Sequence, residues 1–312
     1  MRVLSEAEVR DLLPGPQETV DLVEDALVAL AEGRADVPPK PAVRTTPGMS
    51  AHAMPAAYPE RGLLGCKWIT VVPDNALRGL PAASGVMVVS DGVTGRPTCV
   101  LPAGELTAAR TAAVSGACVR ALAPPGPVAF LGAGVQARSH LAVLAALGHR
   151  EVRVWARRGS AVRALAEESA ARRLAVRVLA CPSREAAVRD AAVVVTALRP
   201  GLTDTRLDPS WVAEDALLLP LDWASSVGPE VAEGASVLAA DDVRQFVAVR
   251  EERRAMGAYP TPTAWTGHLL RAPRPPGRVV VQNTGSGLCD LVVAAVVAER
   301  AEARGTGTVL QD

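Results

Sequence analysis

Aromatic side chains are scarce: five Trp, two Tyr and two Phe make up 3% of the 312 residues. A surface that binds nucleic-acid bases by stacking needs more of them, so no such platform is expected. No sign of charge prevails, with 33 basic and 33 acidic side chains, which argues against nucleic acid or an anionic membrane as partner. Long apolar runs are also missing. Leu291 to Ala298 is the longest near the C-terminus and falls far short of a bilayer span. No apolar core follows Arg2, so no signal peptide is read and a soluble, cytoplasmic protein is expected. Cys66, Cys99, Cys118, Cys181 and Cys289 have no C-x-x-C spacing, and the four histidines have no ligand spacing. Reduced thiols are expected in place of disulfides, and no metal.

Lysine is the rarest charge of all. It occurs only at 40 and 67, and every other basic residue is arginine. Where a chain has drifted so far towards arginine, a surviving lysine marks a place for a compact ammonium in place of a planar guanidinium.

What is present is an ordinary globular balance, 49% hydrophobic and 21% charged, with length enough for two domains. Ser5-Glu6-Ala7-Glu8 predicts a capping box, and Pro16 to Glu32 carries apolar residues at a helical period. Between Pro41 and Val100 the texture turns to short strands, at 42–46, 65–72 and 85–90, with turns at Pro47-Gly48 and Thr94–Pro97. A helix follows over 106–122. Ala123-Pro124-Pro125-Gly126-Pro127 reads as a stiff linker. Beyond it, strands at 128–131, 152–155, 176–179, 192–197, 217–221 and 236–240 alternate with helices at 136–147 and 160–173, the pattern of a doubly wound α/β sheet. A second Pro-rich stretch, 272–277, precedes a strand at 279–282 and a helix at 290–304. The fold class is therefore α/β: a Rossmann dinucleotide-binding domain inserted into an α+β substrate-binding and dimerisation domain. The boundaries fall at 1–123, 124–277 and a returning segment 278–312.

Gly132-Ala133-Gly134-Val135-Gln136-Ala137 directly follows an apolar strand and opens a helix. The first glycine permits the tight turn and the second lets backbone approach a pyrophosphate. Ala137 keeps the third position small. The helix N-terminus then offers amides and a positive dipole to the phosphates. About 25 residues on, the second strand ends in Ala156-Arg157-Arg158-Gly159-Ser160, with no acid to hold a ribose 2′-OH. Two arginines and a serine favour a 2′-phosphate, so NADP(H) is expected, with NAD(H) as the alternative.

Leu106-Thr107-Ala108-Ala109-Arg110-Thr111, Gly132 to His140, and the turn Asn283-Thr284-Gly285-Ser286-Gly287-Leu288-Cys289-Asp290 together resemble the ornithine cyclodeaminase/μ-crystallin family. The resemblance runs over nearly the whole chain. It implies that Arg44, Lys67 and Arg110 hold a substrate carboxylate, chemistry suited to two bidentate guanidiniums and a point-charge ammonium. It also implies that Asp222, at the end of the 217–221 strand, handles the substrate nitrogen and moves protons, Lys67 being the second candidate catalytic group. Candidate cofactor contacts are Thr111, Gly132, Gly134, Val135, Gln136, Arg157, Arg158, Ser160 and Thr196. The chain departs from the family after Asp222, where Trp223-Ala224-Ser225-Ser226-Val227-Gly228-Pro229-Glu230 replaces a Pro-Gly-Lys-like stretch. The resemblance implies hydride transfer at the Cα of a small amino or imino acid, as an imine or ketimine reductase or an amino acid dehydrogenase, in a homodimer. Two alternatives stay open: an ornithine or lysine cyclodeaminase with bound NAD, and a non-catalytic NADPH-dependent binder, for which an acid/base residue would serve no purpose.

Overall fold

Ser5 sets the first helix as its spacing predicts: its hydroxyl accepts from the Glu8 amide at 3.3 Å, and Glu8 accepts from the Ser5 amide at 2.7 Å. In the computed structural model, which describes residues 1–44, 48–202, 204–252 and 256–311, β1 (Arg2–Val3) precedes this α1 (Glu6–Leu12). Next come α2 (Pro16–Ala31), β2 (Ala42–Val43), β3 (Ser50–Tyr58), β4 (Leu63–Val71), β5 (Ala83–Asp91), β6 (Pro97–Pro102) and α3 (Gly104–Leu122). The run from 42 was expected to reach 46, but Thr45, Thr46 and Pro47 lie outside the described residues. The alternating segment supplies β7 (Val128–Leu131), α4 (Val135–Ala146), β8 (Glu151–Trp155), α5 (Gly159–Ala171), β9 (Arg177–Ala180), α6 (Arg184–Val188) and β10 (Val193–Thr196). It continues with β11 (Leu217–Pro220), α7 (Pro229–Glu233), β12 (Val237–Ala240), α8 (Val243–Glu252), β13 (Ala264–Trp265), α9 (Thr266–Leu269) and β14 (Val279–Gln282). The chain closes with α10 (Gly287–Ala303) and β15 (Thr308–Val309).

These elements form two compact units, Met1–Arg110 with Gly285–Asp312, and Thr111–Thr284. The boundaries differ from those expected at 123/124 and 277/278. The two Pro-rich stretches are internal bends: Arg274 donates to the Leu122 carbonyl at 2.7 Å, tying one to the other inside the second unit. Strand β14 pairs in parallel with β11 and β12, so it too belongs there. The tail beyond Gly285 does return to the first unit.

In the first unit the strand order is β15-β1-β6-β5-β4-β3-β2, antiparallel except where β1 runs parallel to β6. Helix α10 lies across β3, β4 and β5 and packs on its other side against α2. That sandwiched position explains its sequence, since Leu288, Cys289, Leu291, Val292, Val293, Ala294 and Val297 are all buried around its circumference. The second unit holds a parallel sheet, β13-β12-β14-β11-β10-β7-β8-β9. Strands β7, β10, β11 and β14 are buried at every residue, as a sheet covered on both faces requires.

Candidate functional site

On β4 side chains alternate, so Gly65 and Lys67 face the buried side of the sheet. Lys67 is wholly buried, and a buried ammonium is tolerable only if paired. Its Nζ lies 2.6 Å from Asp290 Oδ2, and it donates to Thr107 Oγ1 at 3.3 Å. Asp290, also wholly buried, sits in the first turn of α10, and its Oδ1 accepts from Arg110 Nε at 2.9 Å. One carboxylate thus joins the lysine of β4 to the arginine of α3. Burial outweighs the pull of Asp290 and, with the neighbouring Arg110 charge, brings the Lys67 pKa down to about 7. Gly285 adjoins this cluster with φ +85°, and a Cβ there would lie 3.4 Å from Arg110 Nη2 and 3.6 Å from Lys40 Nζ. Arg44 follows β2 directly and is exposed, next to residues outside the described set.

In the second unit, Gly132 follows β7 at φ +128°, and a Cβ on it would stand 2.7 Å from the Ala197 carbonyl oxygen. Only glycine fits this turn. Gly134 is the N-cap of α4, provides no side-chain cap, and would direct a Cβ into open space. Val135 is 61% exposed beside it, and the half-buried Gln136 has a buried Oε1 without a hydrogen-bond partner. Uncapped amides under open space suit a pyrophosphate, so these residues fit a dinucleotide. Helix α4 is braced from beneath. His140 Nδ1 donates to the Gln136 carbonyl at 2.7 Å, which leaves Nε2 to accept from Ser115 Oγ at 2.9 Å. Burial brings this imidazole down to about 4, so it stays neutral. Arg157, Arg158 and Ser160 are exposed where β8 gives way to α5, and Thr111 is buried on α3.

Asp222 follows β11 at the carboxyl ends of the parallel strands, where such sheets bind ligands. It is wholly buried. Thr196 Oγ1 donates to Oδ1 at 2.9 Å, while the Leu198 amide and Ser226 Oγ donate to Oδ2 at 3.0 and 2.7 Å. Burial nevertheless raises the carboxyl above its ordinary range, the three donors only partly opposing it. The next residue, Trp223, has φ +60°, a strained conformation for a bulky side chain. Its carbonyl accepts from Gln282 Nε2 at 3.5 Å, and the same amide donates to the Tyr259 hydroxyl at 2.7 Å.

Lys67 and Arg110 are therefore brought together in one unit, and Thr196 and Asp222 meet in the other. Sequence reasoning assigned no role to Asp290, although it closes the Gly-rich turn. It also missed the supporting pairs Ser115–His140 and Ser226–Asp222. Lys40 had been noticed for its rarity but given no place. Among the described residues no His, Cys, Asp and Glu side chains cluster to hold a metal ion. The five cysteines are free thiols, and among the described residues no helix is long and apolar enough to cross a membrane.

Residues 2–226 match the profile of the ornithine cyclodeaminase/mu-crystallin family. The nodulation efficiency protein NfeD of Rhizobium meliloti is 31% identical over 306 residues, covering 93% of this chain and 92% of that protein. The mouse (Mus musculus) ketimine reductase mu-crystallin is 31% identical over 221 residues, 68% of each chain. Among solved structures, the Thermococcus litoralis Δ1-pyrroline-2-carboxylate reductase in complex with NADH and L-proline superposes with a TM-score of 0.86. It covers 99% of this chain and 100% of its own at 21% identity, a likeness of fold.

Proposed function

Because this chain belongs to the ornithine cyclodeaminase/mu-crystallin family, we propose that it is a nicotinamide-dependent oxidoreductase that reduces a small cyclic imino acid to the amino acid. The observation that carries the reading is the buried Lys67–Asp290–Arg110 cluster, an organised cationic seat for a carboxylate. With Arg44, this cluster holds the substrate carboxylate and so fixes Cα, where pre-set geometry contributes much of the rate. Gly132, Gly134, Val135, Gln136, Thr111 and Thr196 hold the dinucleotide, which supplies hydride at Cα when bound. Asp222 exchanges the proton of the substrate nitrogen, its basicity raised by burial. The exposed Arg157 and Arg158, with Ser160, favour a 2′-phosphate and hence NADP(H). The protein acts as a homodimer, in a compartment that keeps its free thiols reduced.

The test is consumption of NADPH with Δ1-pyrroline-2-carboxylate or Δ1-piperideine-2-carboxylate, set against ammonia release from ornithine or lysine with NAD⁺ and no added reductant. Turnover in the first arm supports the reductase. Ammonia release in the second overturns it in favour of a cyclodeaminase, and tight NADPH binding with neither reaction leaves a binder.

A further inference from the structure

The turn after β11 is strained, and a buried amide from another strand meets it. The Ser225 amide donates to the Asp222 carbonyl at 3.2 Å, which makes Trp223 the second residue of a tight turn, with φ +60°. Turns of that hand take glycine or asparagine there, and a bulky residue persists only where its surroundings over-determine it. Part of those surroundings is apolar, since Trp223 packs against the core of the second unit. The polar part comes from β14. Strands β11 and β14 are parallel neighbours, so Gln282, which ends β14, stands beside the strand end that leads into Asp222. Gln282 is wholly buried, and its Nε2 donates to the Tyr259 hydroxyl at 2.7 Å and to the Trp223 carbonyl at 3.5 Å. Its Oε1 has no hydrogen-bond partner among the described residues. A buried amide oxygen left unsatisfied destabilises the fold, and an apolar side chain of similar length would remove that penalty. Such a side chain could not, however, donate to the Trp223 carbonyl.

We propose that Gln282, anchored by Tyr259, is a positioning residue for the proposed reaction: its amide fixes the left-handed corner at Trp223 and, through it, the Asp222 carboxylate. This rests on the reading of Asp222 as the group that exchanges the substrate's proton. Tyr259 is a firm anchor. It is buried, packs against Phe246 with ring centroids 5.9 Å apart, and its carbonyl accepts from Arg250 Nη1 at 3.2 Å. Its phenol lies near enough to feel the Asp222 charge, and burial pushes its pKa up, so it stays neutral. The three donors to Asp222 come from Thr196, Leu198 and Ser226, on both sides of the corner. A corner that rotated would draw the carboxylate away from Thr196 and Leu198 together. Those donors oppose the effect of burial on the carboxyl, so loosening them lets its pKa climb further.

The experiment compares wild type, Gln282→Met and Tyr259→Phe, each with Asp222 intact and as Asp222→Asn. Steady-state kinetics with Δ1-pyrroline-2-carboxylate form one arm. Gln282→Met should lower kcat about tenfold or more while KM and dinucleotide affinity stay within a few-fold, and Tyr259→Phe should do the same to a smaller extent. In the Asp222→Asn background neither substitution should lower kcat further, because the group they position is gone. The second arm is denaturant unfolding of each protein beside its Asp222→Asn counterpart, from about pH 3 to pH 8. The difference in stability follows the protonation of Asp222 by linkage. In Gln282→Met that transition should move to a pH higher by about one. A transition that stays in place overturns the proposal, as does an equal fall in kcat with and without Asp222. A Gln282 that merely supports the fold would lower stability and leave both readouts where they were. If Gln282→Met does not fold, Tyr259→Phe carries both arms. The unfolding arm involves no chemistry, so it judges Gln282 even if wild type reduces no imino acid and the reductase reading fails.

Discussion

At Asp222 three protein donors converge on a carboxylate that solvent does not reach. Asparagine can occupy the same space: its carbonyl accepts from the Leu198 amide and Ser226, and its amide donates to Thr196 once that hydroxyl turns round. Asp222→Asn should therefore fold and bind dinucleotide normally yet lose about 10²–10⁴-fold in kcat on the imino acid. Near wild-type turnover would reduce Asp222 to a loop-forming residue. Lys67 gives a second test, because its pKa falls from 10.5 in the open chain to about 7 when buried. Between those values the unfolded chain holds more protons, so this group makes stability rise with pH. Carboxylate binding should run the other way, weakening as pH climbs through about 7 and the ammonium is lost. Titrations with L-proline across this range, beside denaturant unfolding, read the two opposed trends. Lys67→Arg, which keeps its proton throughout, should flatten both; a binding profile that persists in this variant assigns the transition to another group.

Among the elements, β8 and its continuation into α5 carry the proposed choice of dinucleotide. No acid stands at the strand's end, and Arg157 and Arg158 are exposed there. Each charge-assisted contact to a phosphate is worth roughly 1.5–3 kcal/mol, so one suffices for about tenfold. NADPH should bind at least about tenfold more tightly than NADH, and Arg157→Ala with Arg158→Ala should abolish the difference in a fluorescence titration. Equal affinities in wild type would count against the assignment. The parallel strands were readable because strands covered on both faces must be unbroken Val and Leu runs. Strand β3 was not, since its sequence, Ser-Ala-His-Ala-Met-Pro-Ala-Ala-Tyr, is rich in alanine and carries Pro55. The structure accommodates it because β2 begins opposite His52, leaving Pro55 beyond the paired stretch of that edge. Helix α8 escaped notice for another reason: it is only ten residues long, and its contribution to the core comes from Phe246 and Val249 with Val243 packed beside them.

For the whole molecule, the outer face of the first unit's sheet leaves Leu64, Trp68 and Val86 between 38% and 44% exposed. Trp68 stands directly opposite Val86 in the β4–β5 register, and Cys66 opposite Val88, so the apolar positions adjoin. A contiguous apolar face of this kind marks an association surface, and a second copy of the chain is the expected occupant. Sequence reasoning placed dimerisation in this same region, and the exposed face supplies a motive for it. Light scattering at micromolar concentration should give a dimer mass, and Trp68→Glu should give a monomer. A monomeric wild type would dismiss the interface. The candidate site was legible wherever one residue carries its own chemistry, as Arg110, Lys67, Gly132 and Asp222 do. It was illegible where the role exists only through a partner distant in sequence: Asp290 acquires meaning from Lys67 and Arg110, and Ser115 from His140.

The confinement of both lysines to one cluster bears on how the molecule meets acylating reagents. Its side chains carry two primary amines, and that of Lys67 is closed to solvent. Of these two, the half-buried Lys40 is the one an activated ester can reach. Mass spectrometry of the acylated chain becomes a direct gauge of how crowded the space around Lys40 and Gly285 is.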